Sequence, residues 1–228
     1  MSPKGSASPR VARGFDRLAP LYDLMADLAF AGRIHASQIA LLPRLPPVRR
    51  ALVMGGGTGR FLAAFLTHDP HARAVSIDLS PGMTRKTAAR LAAQGLTDRA
   101  ELRVGGLETL DRDERFDLVV THCFLDLFED SDLRAVIGSL SHGLEPAGHW
   151  LFSDFASAGT GLPGVARRSI VAVLYRFFQA SCSIEASRLP DFDRAFRSAG
   201  LESVAQRGLL GGLLRAALLR KAPGASST

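Results

Sequence analysis

Arg50-Ala51-Leu52-Val53-Met54-Gly55-Gly56-Gly57-Thr58-Gly59-Arg60-Phe61-Leu62 joins an apolar run to a knot of glycines, and a helix-like apolar pattern follows at once. This reads as a buried strand, a tight turn and a helix N-terminus. Glycine lets the backbone bend sharply and lets a ligand approach it without meeting a Cβ. The first turn of the following helix carries N–H groups with no intrahelical partner, which suit an electron-rich ligand. A strand that feeds a helix through such a turn is the opening unit of an open α/β sheet.

The ligand is narrowed by elimination. The dinucleotide fingerprint G-x-G-x-x-G fails in both frames, because its third glycine would be Arg60 or Leu62. A nicotinamide-dependent oxidoreductase is therefore disfavoured. The phosphate loop of nucleotide hydrolases fails too, since no Lys-Ser or Lys-Thr follows the glycines. What fits is G-x-G-x-G at Gly55, Gly57 and Gly59, with Gly56 between them. It resembles motif I of the class I S-adenosylmethionine (SAM) methyltransferases.

A second strand, residues 74–78, ends in Asp78, about 20 residues past the glycines, the spacing at which an acid reaches ribose hydroxyls. A carboxylate at the tip of the neighbouring strand can accept a hydrogen bond from both. Leu79-Ser80-Pro81-Gly82-Met83 then starts a helix, with Ser80 as N-cap and Pro81 at the first helical position. The text resembles the family's motif II, which implies that Leu79 and Met83 line the adenosyl group and that Met83 packs on the adenine. The third strand, 100–104, runs into Gly105-Gly106-Leu107. The resemblance places Gly106 and Leu107 at the cofactor, but the acid that relatives carry at position 106 is missing. Val53 likewise stands where many relatives have an acid. These departures keep open a catalytically degenerate protein of methyltransferase fold, acting in binding or as a scaffold.

Phe116-Asp117-Leu118-Val119-Val120-Thr121-His122 reads as the fourth strand, in the style of the family's motif IV. Its carboxyl end faces the ligand crevice of an open sheet. By resemblance, Thr121 and His122 touch the methionine part of the cofactor. The Asn/Asp-Pro-Pro-aromatic text of enzymes that methylate amino groups of adenine, cytosine or glutamine is replaced here by Thr121-His122-Cys123-Phe124, which disfavours that substrate class. His122 is the leading general base, because an imidazole titrates near neutrality. Asp126 and Asp154 follow, the latter at the carboxyl end of a fifth strand, 149–155. A helix over 133–144 and a turn over 145–148 precede that strand. A last helix, 190–199, is closed by Gly200, and a hairpin of strands 201–207 and 213–220 turns at Gly211-Gly212.

The remaining segments are read from composition and period. Residues 1–9 and 222–228 are expected to be disordered tails. Residues 10–45 form a helical lid, because Phe15-Asp16-Arg17-Leu18-Ala19-Pro20-Leu21-Tyr22-Asp23 resembles the lead-in of the quinone-biosynthesis and related small-molecule methyltransferases. Tyr22 is the lid residue nearest the site in this reading. The domain proper covers 46–221, with a substrate-side helical insertion at 160–188 carrying Arg168 and Tyr175. His68 and His71 lack a third ligand nearby, so no metal is expected.

The 228-residue length suits one domain with a sizeable core. The net charge of +6 is scattered along the chain and makes no basic stripe, so no nucleic-acid partner is expected. Two cysteines, Cys123 and Cys182, make no disulfide framework and suit a reducing cytoplasm. No apolar run reaches the roughly 18 residues of a membrane span, and 1–9 is too polar for the core of a signal peptide.

The alternation of strands and helices gives an α/β fold. The resemblance specifies a Rossmann-like, seven-stranded, mainly parallel sheet in the order 3-2-1-4-5-7-6, its last strand antiparallel and helices on both faces. It implies SAM as cofactor, S-adenosylhomocysteine as product and a small-molecule acceptor, apolar or aromatic in character. The sequence leaves the oligomeric state open.

Overall fold

The computed structural model describes Asp16, Phe30 and residues 32–156 and 189–222. The tail 1–9, Tyr22, the insertion at 160–188 with Arg168 and Tyr175, and residues 223–228 lie outside the described residues.

Seven strands form one sheet in the order β3-β2-β1-β4-β5-β7-β6. They are β1 (Arg50–Met54), β2 (Arg73–Asp78), β3 (Ala100–Val104), β4 (Phe116–His122), β5 (Leu144–Phe155), β6 (Leu201–Leu209) and β7 (Leu214–Lys221). The pairs from β3 across to β5 are parallel. Strand β7 runs antiparallel to both β5 and β6. The α-helices with described bounds are α1 (Arg33–Ile39), α2 (Arg60–His68), α3 (Pro81–Ala93), α4 (Asp130–Gly143) and α5 (Phe192–Ser198).

The two-residue period of a strand sorts its side chains onto two cores. On β1, Leu52 and Met54 join the core under α4 and α5, with Phe116, Leu133, Ile137, Leu140 and Phe196. Ala51 and Val53 join the opposite core under α1 and α2, with Leu41, Phe61, Leu62, Phe65 and Leu66. On β5, Trp150 and Phe152 face the first core and Leu151 the second. Both faces of the central strands are buried, which is why β1 reads as a continuous apolar run rather than an alternating one.

The sequence boundaries hold for β1, β3 and β4. Helix α4 starts one turn earlier than its apolar period announces, at Asp130. Two acids, Asp130 and Asp132, occupy its first turn, where negative charge complements the helix dipole. The expected turn at 145–148 is instead part of β5, which bridges Phe116 at Leu144 and resumes regular pairing at His149. Ala147 absorbs the irregularity at φ 61. The hairpin turns where expected, with Gly211 at φ 60 and Gly212 at φ 91.

Strand β7 also anchors the amino-end rim. Lys221 is buried there and donates from Nζ to the carbonyls of Ser141 at 2.6 Å and Leu144 at 2.9 Å. These are end-of-helix carbonyls of α4, which lack intrahelical partners.

Candidate functional site

Strand order places the topological switch point between β1 and β4, since α1, α2 and α3 cover one face while α4 and α5 cover the other. Ligands of open α/β sheets bind in the crevice outside the carboxyl ends at such a point. The glycine turn sits there. Gly55, Gly57 and Gly59 adopt φ of 67°, 57° and 75°, conformations that L side chains rarely take.

The turn is held by its neighbours from both sides. Gly55 N–H and Gly56 N–H donate to the Ile77 carbonyl at 2.9 and 3.2 Å. Gly57 N–H donates to Asp78 Oδ2 at 2.8 Å, and Ser80 N–H to Asp78 Oδ1 at 2.9 Å. Thus Asp78 ties the tip of β2 to the turn and to the start of α3. Its burial raises the carboxyl pKa, and the two N–H donors pull the other way. From α3, Thr87 Oγ1 donates to the Gly57 carbonyl at 2.9 Å and Arg90 Nε to the Thr58 carbonyl at 2.9 Å. Thr87 and Arg90 were not legible as site residues; nothing in their spacing distinguishes them from an ordinary polar helix face.

The space around the glycines differs from one to the next. A Cβ on Gly59 would stand 2.8 Å from Thr87 Cγ2, and one on Gly55 would stand 2.9 Å from the Phe124 ring. A Cβ on Gly57 would meet only the Gly55 carbonyl, at 4.0 Å. The backbone is therefore packed at Gly55 and Gly59 and open above Gly57. An open cradle of this kind, with a carboxylate beside it, fits a nucleoside.

Beyond Asp78, Met83 N–H donates to the Ser80 hydroxyl at 3.1 Å, so Ser80 is the N-cap that the sequence announces. The Asp16 carboxylate reinforces the same helix start, accepting from Ser80 Oγ at 3.0 Å and from Gly82 N–H at 2.6 Å. Met83 is buried. Gly106 lies at the end of β3, followed by a short 3-10 turn, Leu107–Thr109.

The three candidate acid–base residues do not converge. His122 packs its ring edge-on against Phe61 of α2, with centroids 4.4 Å apart, on the α1/α2 face. Its neighbour on β5, Ser153, is on that face too and shares a 2.7 Å hydrogen bond with Ser37 of α1. Asp154, one residue on, points to the opposite face. There Asp126 N–H donates to Asp154 Oδ2 at 3.3 Å, and Phe155 N–H to Asp154 Oδ1 at 2.9 Å. Thr121 Oγ1, also on that side, accepts from Trp150 Nε1 at 2.8 Å.

Electrostatics separate the two groups further. Burial and the nearby His35 lower the His122 pKa to about 3 rather than leaving it near neutrality. Neither ring nitrogen makes a well-aligned hydrogen bond among the described residues, and the Thr121 backbone, acting on the ring, offsets the lowering only in small part. For Asp154, burial and the adjacent Asp126 charge drive the pKa well above the ordinary carboxylate value, and burial raises Asp126 as well. Two buried carboxyls in contact cannot both ionise, so the pair holds a proton at pH values where a solvated carboxylate has none. Cys123 lies beside them, its thiol pKa pushed up by burial and by both acids, which makes it inert as a nucleophile. Among the described residues no group of His, Cys, Asp or Glu could hold a metal, and no helix is long and apolar enough to cross a membrane.

Fold and edge geometry together define a Rossmann-like domain built to hold a nucleoside-bearing ligand. Residues 51–148 match the family model for a methyltransferase domain. The chain is 28% identical over 172 residues to a demethylmenaquinone methyltransferase of Roseiflexus sp., covering 67% of this chain and 70% of that protein. It is 32% identical over 149 residues to a malonyl-[acyl-carrier protein] O-methyltransferase of Methylococcus capsulatus, covering 64% of this chain but 49% of that one. Among solved structures, the mitomycin 7-O-methyltransferase MmcR superposes with a TM-score of 0.66 at 20% identity, over 96% of this chain and 64% of that one. Residues 51–148 thus match a methyltransferase domain, and the sheet order agrees with a Rossmann-like methyltransferase fold.

Proposed function

We propose that this protein transfers a methyl group from SAM to a small-molecule acceptor of apolar or aromatic character. The observation that supports this most is the open glycine turn beside Asp78 at the carboxyl edge of β1 and β2. Each Asp78 oxygen accepts one backbone N–H and retains a further lone pair, so the carboxylate can also accept from the ribose hydroxyls. Backbone groups of Gly55, Gly56, Gly57 and Gly59 would hold the methionine part, together with Thr121 and His122. Leu79, Met83, Gly106 and Leu107 would flank the base.

Bound SAM supplies an electrophilic methyl group on a sulfonium. The chain's own contribution is to hold a nucleophile in line with it, which can lower a barrier by roughly 7–11 kcal/mol at best. We assign proton acceptance to the Asp126–Asp154 pair rather than to His122. A base works best when its conjugate acid has a pKa near the working pH; the pair is shifted toward that range and His122 away from it. The two ring nitrogens of His122, one donor and one acceptor in the neutral form, are left to orient the ligand. The ring of Phe124 and the partly buried Phe128 supply an apolar wall near the acids.

Incubating the protein with labelled SAM and a metabolite extract tests this reading. We expect one small molecule to gain the label, and the rate to rise with pH as the acid pair loses its proton. Asp154→Asn should lower turnover by about 10²–10⁴, the usual worth of a positioned base, and should abolish that pH limb. An extract in which no compound gains label, with SAM bound, would favour a binding or scaffold role. Labelling undiminished in Asp154→Asn would remove the pair from the chemistry.

A further inference from the structure

Arg215, near the start of β7, stands directly opposite Asp154 of β5 in the antiparallel ladder. Opposed residues of such a pair project to the same face, with Cβ atoms roughly 4.5–5.5 Å apart. That face is the one under α4 and α5, because Ala217 and Leu219, two and four residues on, belong to its core. A cation therefore stands beside the carboxyl assigned above as proton acceptor. Among the described residues the two nevertheless form no ion pair.

Asp193 of α5 accounts for the separation. Its Oδ2 accepts from Arg215 Nη1 at 2.8 Å and its Oδ1 from Arg215 Nη2 at 2.7 Å. This bidentate grip occupies the outer end of the guanidinium and fixes its plane. The same hydrogen bonds hold the Asp193 carboxyl below its ordinary pKa, against the effect of partial burial. What remains is the inner donor, Nε–H. It is buried and has no hydrogen-bond partner, although the side chain as a whole is 24% exposed. Leaving a buried N–H unpaired is costly, so such a group calls for a partner. Apolar rings supply much of the same face: Phe152 and Phe192 have centroids 4.9 Å apart, Phe124 and Phe128 5.3 Å. In such surroundings a few polar groups fix how a ligand lies.

We propose that Arg215 binds the methyl acceptor: its Nε–H donates to a carbonyl oxygen of an uncharged acceptor and so presents the neighbouring nucleophile to Asp154, while Asp193 positions the guanidinium. The inference rests on the function proposed above and narrows its substrate class. A carbonyl oxygen only accepts, so it satisfies the donor without bringing a proton that needs a partner of its own. A carboxylate fits less well. Asp193 already meets the positive charge, and the Asp126–Asp154 pair would face a further anion. Specificity of this kind comes as much from the rejected ligand as from the accepted one.

The test starts from the labelled-SAM assay on a metabolite extract, with the labelled product identified by mass spectrometry. The acceptor so found is then titrated into the wild type, Arg215→Met, Arg215→Lys and Asp193→Asn. We expect the acceptor to be uncharged and to carry a carbonyl group. Arg215→Met should raise its KM about tenfold, the low end for a hydrogen bond to a charged group, and change kcat less. Arg215→Lys keeps the charge but not the planar fork, so it should not restore the KM. Asp193→Asn should raise the KM by a smaller factor, since the guanidinium is still present but less firmly held. S-adenosylhomocysteine should bind all three variants as it binds the wild type, which a damaged fold would not allow. Where Arg215→Met fails that control, Arg215→Lys and Asp193→Asn carry the test. An unchanged acceptor KM in the Arg215 variants overturns the proposal, and so does an acceptor that lacks a carbonyl or bears a carboxylate; both leave the methyltransferase reading standing. An extract in which no compound gains label overturns both readings.

Discussion

Asp78 accepts from two backbone N–H groups and so organises the turn, and in the proposed function its remaining lone pairs would receive a ribose. Asp78→Asn keeps one acceptor oxygen but loses the charge. We expect it to weaken SAM binding by about 1.5–3 kcal/mol, the range for a hydrogen bond to a charged group. An unchanged dissociation constant by calorimetry would place the ribose elsewhere. The buried titratable groups make a second prediction at this scale. His122 shifts from 6.5 to about 3 on folding, so the unfolded chain binds the extra proton between those values. The stability it confers is complete above pH 6.5 and is lost as pH falls toward 3, by up to about 1.4 kcal/mol per pH unit. The Asp126–Asp154 pair runs the opposite way. Its folded pKa values are raised, so its contribution is complete below about 3.8 and is lost as pH rises through the folded values. Denaturant melts across pH should therefore show a flatter acid limb for His122→Gln than for the wild type. Asp154→Asn should lose less stability than the wild type as pH rises from 4. The reverse slopes would mean that neither group titrates as its burial implies. Asp78 was legible because its spacing from the glycines is itself informative.

At the scale of elements, the ends of β1 and α3 were legible because local chemistry sets them. An apolar run stopped by glycine and a Ser-Pro start leave little alternative. The start of α4 was placed late because its first turn is acidic rather than apolar, and the apolar period sees only the buried face. The irregular entry to β5 was hidden for another reason: Glu145-Pro146-Ala147-Gly148 carries turn residues, yet pairing of Leu144 with Phe116 extends the strand across them. Tertiary pairing overrode local propensity there. Gly59→Ala tests the turn directly. The alanine must adopt φ near 75° and its Cβ must share space with Thr87, so we expect a loss of about 1–3 kcal/mol in chemical denaturation. A stability equal to the wild type's would mean that the turn can relax, and that α3 does not grip it through Thr87.

Across the whole molecule, the doubly wound sheet divides the acid–base candidates by face. Sequence reasoning brought His122, Asp126 and Asp154 to one rim, and the rim is right: all three lie at the carboxyl ends of β4 and β5. Strand parity then separates them, His122 toward Phe61 on α2 and Asp154 toward Asp126. That division follows from the in-register parallel pairing of His122 with Ser153, which only the assembled sheet fixes. The seven-strand order was legible through family resemblance, since composition and period alone give α/β and no strand order. The central claim is that this edge holds SAM beside Asp78. Calorimetric titration of SAM and S-adenosylhomocysteine into the wild type and Asp78→Asn tests it most directly. The account predicts saturable, one-to-one binding of both compounds by the wild type, with parallel weakening of both in the variant. Well-folded wild-type protein that releases no heat and gains no thermal stability with either compound would contradict it.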